Sequence, residues 1–510
     1  MSDAPRPLFA SPQAPRLLAL VAGALFPLAL APFGWSTLGV LSMALLCALL
    51  RNGGPREVFV RALAFGLGQF GVGASWVYVS IHVYGEAPAP LATLLTGLFI
   101  LLLALCLAVP FSLYGRMARR PPLAALFLFP SLWVVAEWFR GWFLTGFPWL
   151  YLGNSQIDGW LAGWAPIGGV LTLSWMLAFS GAALAQLAQL RDSPPGVIAG
   201  LLLTALLWLW GDTLDDRHWT TPADSPVRVA LLQPALPLNQ KWDQNALFQI
   251  LDLYRRETES LWRNPLVIWP ESAIPEVQHR VDHYLGWMDE RAREAGSTLI
   301  TGVPIQAGNR YYNSVIALGD GSGRYDKRHL VPFGEYVPLE RWLRGTIRFF
   351  DLPMSTFSNG ADRQPLLRAG DLRIATAICY EIVYQDLVAG TTADADILLT
   401  VSNDTWFGSS IGPHQHFEMA RMRALENGKP VLRGTNDGIT AIIDSRGKVQ
   451  AALPQFQRAV LEGEVTPHSG TTPFTRFGSW PVVVLCLLVV AAGLWLGRTG
   501  LIAGRLASDV

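Results

Sequence analysis

Residues 373–381 read RIATAICYE. A short apolar, β-branched run ends on a cysteine and then an acid, which predicts a strand over 373–378 with Cys379 leaving the core at its end. Similar runs lie on either side: 227–233, 266–269, 298–303, 314–318, 397–401, 431–433 and 440–443. Between them, 245–263, 280–295 and 414–427 carry the apolar spacing of amphipathic helices. Strands alternating with helices predict a layered α/β domain over 222–467. Residues 221–226 and 467–473 are expected to link it to the rest of the chain.

Two more polar residues follow apolar strands in the same way. Glu271 closes LVIWPE at 266–271, and Lys327 stands in YDKRHLVPFGEY at 325–336. Taken singly each has an ordinary reading: a solvated loop acid, a surface lysine, a packed cysteine. Cys47, Cys106 and Cys486 lie in apolar runs, where a small soft side chain is packing. Cys379 is the only cysteine of the α/β region, so it has no local disulfide partner. His414 and His416 are two apart, a spacing that does not share a helix face. After Gly412-Pro413 they read as helix-start residues, and no metal is expected.

The remainder of the chain has a different composition. Of 510 residues, 51% are hydrophobic and 15% charged, against about 25% charged in an average soluble domain. Up to residue 211 there are ten Arg, no Lys and six acidic residues between long apolar runs. The net charge of zero gives no basic face of the kind a nucleic-acid binder carries. Runs at 62–83, 89–113, 122–139 and 160–190 are long enough to cross a bilayer. Runs at 17–31, 35–50, 196–210 and 480–496 are shorter but flanked by Trp, Phe and Gly. Eight membrane helices are expected, seven within 1–211 and the eighth at 478–498. The amino terminus reads as a retained first span. Eight spans put both termini on one side, which then carries Arg6, Arg16, Arg51, Arg56, Arg61, Arg116, Arg119, Arg120, Arg191, Arg498 and Arg505, while the short loops opposite hold only Arg140. The positive-inside rule makes the termini cytoplasmic and the α/β domain external. Two readings of Glu137, inside the fifth run, stand: it faces a cavity or partner, or it reaches interfacial water.

WPES, YDKRHLVPFGE and ICYE resemble the three catalytic motifs of the nitrilase, or carbon–nitrogen hydrolase, superfamily. The resemblance continues through SNDTWFG at 402–408, MARMRALENGKP at 419–430 and RGTNDG at 433–438, and covers 227–465. With seven apolar runs before this region and one after it, the whole chain resembles the apolipoprotein N-acyltransferase family, including the outer loop GFPWLYLGNSQIDGW at 146–160.

The resemblance implies an αββα sandwich in which Glu271, Lys327 and Cys379 converge. Cys379 would be the nucleophile, reactive as thiolate. Glu271 would be the general base, and Lys327 would stabilise thiolate and oxyanion, with backbone N–H groups after Cys379 as co-donors. Glu335 is implied to orient Lys327, Glu381 to stand beside the nucleophile, and Tyr380 to pack or donate nearby. Trp242 and Trp406 are implied at the substrate. Residues 341–351, RWLRGTIRFFD, suit a membrane-surface arm carrying Trp342, Phe349 and Phe350. Trp242 and the arm have the alternative of ordinary loops packed on the sandwich.

The implied reaction moves an acyl chain from a phospholipid, typically phosphatidylethanolamine, to Cys379 and then to the α-amine of a diacylglyceryl-cysteine on an apolipoprotein. It needs no cofactor. The enzyme would be a monomer in a bacterial inner membrane with its catalytic domain in the periplasm. Two rivals are a tethered amidase or nitrilase acting on a small soluble substrate, and a transporter with an external binding domain. The first needs only an anchor. The second calls for polar or broken helices at midplane, and the predicted spans are nearly free of charge.

Overall fold

The computed structural model describes residues 13–117, 122–191, 193–338 and 356–508. The predicted arm at 341–351, with Trp342, Phe349 and Phe350, lies outside the described residues, as do Arg6, Arg119 and Arg120. The chain divides into two compact units: one falls within Met1–Tyr78, Pro90–Arg217 and Ser479–Val510, the other within Val79–Ala89 and His218–Gly478.

The second unit is built on two main sheets. One runs in the order Ala459–Val465, Val227–Gln233, Leu266–Ile268, Thr298–Ala307, Arg310–Gly319, Arg324–Asp326. The other runs Val449–Ala452, Ala441–Ile443, Val431–Thr435, Ile397–Ser402, Leu372–Ile378, Leu367–Ala369, Gly321–Ser322. At the heart of each, three strands are parallel. A strand alternates its side chains between faces. Val229 and Leu231 enter one core with Ile268, Ile374, Ile378 and Leu399, while Ala230 and Leu232 enter a second with Val267 and Trp269. Both faces are covered, which is why these strands read as unbroken apolar runs. Helix Leu247–Thr258 contributes Ile250, Leu253 and Tyr254 to the second core, and Asp282–Glu294 contributes Leu285, Met288 and Ala292 at helical spacing. Gln385–Thr392 and Gly412–Asn427 contact strands of the other sheet.

The sequence reading missed Arg324–Asp326, Val449–Ala452 and Ala459–Val465. Ala459–Val465 pairs with Val227–Gln233 along its whole length, yet its outer positions Glu462 and Glu464 hide an edge strand from an apolar scan. The two predicted linkers contain a small ladder of their own: Thr221 pairs with Ser469 and Pro222 with His468.

In the first unit, three helices are long and apolar enough to cross a bilayer among the described residues: Ala89–Arg116, Ala162–Gln189 and Pro194–Asp215. A fourth is obtained if Pro55–Gly73 and Val77–Tyr84 count as one broken span, and Ala14–Ala29, Thr37–Leu50 and Trp480–Leu496 are shorter apolar helices. The helices do not by themselves establish eight spans. The expected continuous run at 62–83 is corrected: the helix stops at Gly73, in a stretch with glycine at 66, 68, 71 and 73, and glycine is a weak helix former. Beyond the break, Ser80 Oγ donates to the Trp406 carbonyl at 2.8 Å and the Tyr84 ring packs edge-on to Trp406, so the segment belongs to the second unit. On Pro194–Asp215, Ile198, Leu202, Leu206 and Leu209 form an exposed stripe, an apolar face suited to lipid.

Glu137 and Arg140 are both buried near the end of helix Pro122–Arg140. Glu137 Oε1 accepts from Trp133 Nε1 at 2.9 Å and from the Leu152 amide at 2.8 Å, so the partner reading holds and the interfacial-water reading does not. Arg140 donates to the carbonyls of Phe147 at 2.7 Å and Trp149 at 2.5 Å, and faces the rings of Phe70 and Tyr151. The first half of the motif at 146–160 is therefore packed and tied down, with Trp149, Tyr151 and Leu152 buried.

Candidate active site

Glu271 follows Leu266–Ile268, Lys327 follows Arg324–Asp326, and Cys379 follows Leu372–Ile378. The glutamate and cysteine thus leave the carboxyl ends of parallel strands in the two different sheets, the end at which α/β sheets bind ligands. Strand Thr298–Ala307 passes the Glu271 turn so closely that a Cβ on Gly302 would lie 2.4 Å from the Ser272 nitrogen, which reserves that position for glycine. Ser272 (φ +45°) and Cys379 (φ +51°) both adopt the left-handed region that side chains disfavour. Strain of that kind persists where surrounding bonds over-determine the backbone. Around Cys379 they do: the Ile378 amide donates to Glu381 Oε2 at 2.8 Å, and His416 Nε2 lies 3.1 Å from the Cys379 carbonyl.

The charged groups form one buried cluster. Lys327 Nζ lies 2.9 Å from Glu335 Oε2, 3.0 Å from Glu335 Oε1 and 3.5 Å from Glu271 Oε1. Asn313 Nδ2 donates to both carboxylates at 2.8 Å, and the Asn403 amide donates to Glu271 Oε2 at 2.9 Å. Buried Lys241 donates from Nζ to the Glu271 carbonyl at 2.9 Å. Burial alone would drain the Lys327 charge, but Glu335 and then Glu271 outweigh it and hold the ammonium above its ordinary range. Burial pushes the Cys379 thiol well above its ordinary value and Glu271 adds to the effect, while Lys327 opposes both. At rest the cluster holds a charged lysine and a protonated thiol.

Behind the cysteine lies a polar network that the sequence reading did not find. Ser402 Oγ is 3.3 Å from Cys379 Sγ and 2.6 Å from Asp404 Oδ1. Arg433 Nη2 donates to Asp404 Oδ2 at 2.7 Å and lies 3.2 Å from His416 Nδ1. Although burial opposes it, Arg433 holds the Asp404 carboxyl well below the usual range. Burial and Arg433 lower His416, which favours neutral imidazole. His416 Nε2 faces the Cys379 carbonyl, while Nδ1 lies 3.1 Å from Asp404 Oδ1 as well as beside Arg433, so no single neutral tautomer satisfies every neighbour. His416 is thus more than a helix-start residue. Its burial on helix Gly412–Asn427 was the signal, and a one-dimensional reading could not see the partner at 433.

Of the implied supporting residues, Glu335 contacts Lys327 directly and also accepts from the Val331 amide at 2.8 Å. Glu381 is buried and organises backbone: it accepts from Ile378, from the amides of Arg328 at 2.7 Å and His329 at 3.1 Å, and from Tyr325 Oη at 3.1 Å. It pins the lysine loop to the cysteine turn. Tyr380 packs edge-on to Tyr384 and near His329. Trp242 and Trp406 both line a cleft of about 720 Å³ with Leu236, Asp437 and Phe456, a cleft whose lining does not include Glu271, Lys327 or Cys379. Among the described residues no group of three or more His, Cys, Asp or Glu is placed to hold a metal.

Two family models match the chain: an apolipoprotein N-acyltransferase N-terminal domain over residues 22–183 and a carbon–nitrogen hydrolase over 228–472. The chain is 51% identical over 482 residues to an apolipoprotein N-acyltransferase of Azotobacter vinelandii, covering 93% of each. It is 47% identical to the protein of that name from Pseudomonas syringae pv. tomato, covering 94% of this chain and 97% of the relative. Against the Pseudomonas putida protein the identity is 47%, over 97% and 98% of the two chains.

Proposed function

Because this chain belongs to the apolipoprotein N-acyltransferase family, we propose that it acylates the amino terminus of apolipoproteins through a thioester on Cys379, with Glu271 and Lys327 completing the catalytic triad. The observation that carries the reading is the convergence of a strand-end thiol, a carboxylate and a charged lysine in one buried cluster.

Glu271 takes the thiol proton as Sγ attacks the ester carbonyl of a phospholipid. Asn313 and the Asn403 amide fix that carboxylate without consuming all its lone pairs. The developing oxyanion is met by Lys327, whose charge Glu335 maintains. Glu271 then returns the proton to the departing lyso-lipid oxygen. In the second half, the α-amine of the diacylglyceryl-cysteine attacks the thioester, Glu271 receives its proton, and the proton passes to the leaving thiolate. An amide forms, a thioester breaks, and the enzyme is regenerated. Phosphatidylethanolamine is the proposed donor and the monomer the proposed state. Trp242 and Trp406 are assigned to the substrate, with Trp342, Phe349 and Phe350 on an arm at the membrane surface.

The arginine asymmetry supports an eight-span topology in a bacterial inner membrane, termini cytoplasmic and the 222–467 domain periplasmic. The amidase alternative is not favoured, because the family match extends through the amino-terminal apolar region.

Intact mass spectrometry after incubation with phospholipid alone tests the chemistry. The enzyme should gain one acyl mass, Cys379→Ala should gain none, and Glu271→Gln and Lys327→Ala should acylate far more slowly. An adduct retained on Cys379→Ala would overturn the assignment of the nucleophile.

A further inference from the structure

The cleft of about 720 Å³ holds a polar group that the mechanism above does not use. Its walls include Leu236, Trp242, Trp406 and Phe456, and Asp437 stands among them. Asp437 is 7% exposed. Its Oδ2 accepts from Thr405 Oγ1 at 2.8 Å, whereas buried Oδ1 has no hydrogen-bond partner among the described residues. A buried carboxylate oxygen left unpaired is costly unless something supplies a donor. Trp242 Nε1, on the same cleft, is likewise a buried polar atom without a partner among the described residues. The cleft therefore presents one unmet acceptor, negatively charged, and one unmet donor, neutral, within a largely apolar lining that also carries Glu86 and Asn239.

Asp437 also stands near the reacting atoms. The ammonium of Lys241 is influenced at once by Glu271, Asp437 and Cys379, and one of its three N–H groups donates to the Glu271 carbonyl. The Asn436 amide donates to the Ser402 carbonyl at 3.0 Å, and Ser402 touches the thiol. Burial, and then Asp404, push the Asp437 carboxyl up to about 6 against Thr405 and Lys241, so it remains largely ionised at neutral pH.

We propose that this cleft binds a primary ammonium carried on a lipid-bearing substrate, with Asp437 Oδ1 as the receiving atom and Trp242 Nε1 donating to a neighbouring carbonyl or phosphate oxygen. Among the described residues no group of three or more His, Cys, Asp or Glu is placed there to hold a hard metal ion, but one carboxylate oxygen suffices for an ammonium N–H. The apolar walls accept hydrocarbon. The inference rests on the acyl-transfer reading, which offers two sources of this chemistry: the α-ammonium of the acceptor cysteine, or the ethanolamine headgroup of the donor.

The test uses the full-length enzyme and Asp437→Asn, with Asp437→Glu as the charge-retaining control. Thioester formation is timed with phosphatidylethanolamine and with phosphatidylglycerol, which has no ammonium. Acylated enzyme is then mixed with a diacylglyceryl-cysteinyl peptide, or with hydroxylamine, which is uncharged under the assay conditions. Loss of one hydrogen bond to a charged group corresponds to roughly a ten- to hundredfold effect. A fall of that size in kcat/KM for the peptide alone, partly restored in Asp437→Glu, supports the site and assigns it to the acceptor. A fall in acylation by phosphatidylethanolamine alone supports the site and assigns it to the headgroup. The proposal is overturned if all four reactions stay within about threefold of wild type, or if all four fall together in both variants. Absence of any thioester on the wild-type enzyme would instead refute the acyl-transfer reading itself.

Discussion

Replacing Glu335 with Gln isolates the electrostatic support of Lys327. The change keeps side-chain shape and deletes the carboxylate whose two oxygens lie 2.9 and 3.0 Å from Nζ. Lys327 is 1% exposed, so water cannot take the place of the lost charge. Breaking a buried ion pair from one side costs about 3–5 kcal/mol. The lysine can escape much of that cost by releasing its proton, because burial then opposes only Glu271 at 3.5 Å and the weaker influence of Cys379. The sign follows: the folded-state value for Lys327 drops, so the ammonium that persists at neutral pH in the wild type is partly lost in the variant. An oxyanion donor of this kind is worth about 10²–10³ in rate, and thioester formation should fall within that range. The ammonium returns as pH is lowered through the depressed value, so the ratio of variant to wild-type acylation should climb toward acid pH. Single-turnover acylation, quenched and read by intact mass across a pH series, measures that ratio. A variant within about threefold of wild type at neutral pH, or a ratio flat with pH, would refute the claim that Glu335 maintains the lysine charge.

Asp404→Asn should destabilise the domain by about 3–5 kcal/mol, since it strands the Arg433 guanidinium in the interior. A thermal midpoint within a degree or two of wild type would remove that pair from the fold's support. Because the Asp404 carboxyl is held low, its contribution is present above about pH 4 and fades only as pH falls toward the folded value. A membrane-impermeant protease added to spheroplasts should cut within residues 212–472; protection of that entire stretch contradicts the proposed topology. Serine at Trp342, Phe349 and Phe350 together should depress acylation from bilayer phospholipid but spare reaction with a small water-soluble thiol reagent. Unchanged lipid acylation would move substrate entry elsewhere.

What the sequence made legible was local. A buried strand announces itself by composition, so Val227–Gln233 and Ile397–Ser402 were readable to within a residue. Glu271, Lys327 and Cys379 were readable because each sits beside its own strand in a distinctive run. The residues that escaped, Asn313, Ser402, Asp404, His416 and Arg433, act through partners that only the fold brings close. Ser402 lies opposite Thr435 across two neighbouring strands, two residues from Arg433, though 31 residues separate Ser402 from Arg433 in the chain. The membrane region failed differently. Apolarity marks a run as buried or lipid-facing but does not say whether one helix continues through it. At 62–83 the glycines and the docking of Ser80 and Tyr84 on Trp406 decide that it does not.

Under the proposed mechanism, the same hidden network bears on how Cys379 is held beside Glu271. Ser402 has one hydroxyl proton, and the 2.6 Å contact with Asp404 draws it away from Cys379 Sγ at 3.3 Å. The longer contact leaves Ser402 only a weak donor to Sγ, and so a weak support for the thiolate. Burial and Glu271 raise the thiol, while Lys327 and, more weakly, Ser402 lower it. A resting thiolate would be open to oxidation and to adventitious electrophiles, whereas a thiol that ionises only in concert with attack is not. Glu271, fixed by Asn313 and the Asn403 amide, stands ready to take the proton at that moment. The Asp404–Arg433 pair therefore does more than fill the interior. By drawing on the Ser402 proton it limits the support that this hydroxyl can give a Cys379 thiolate.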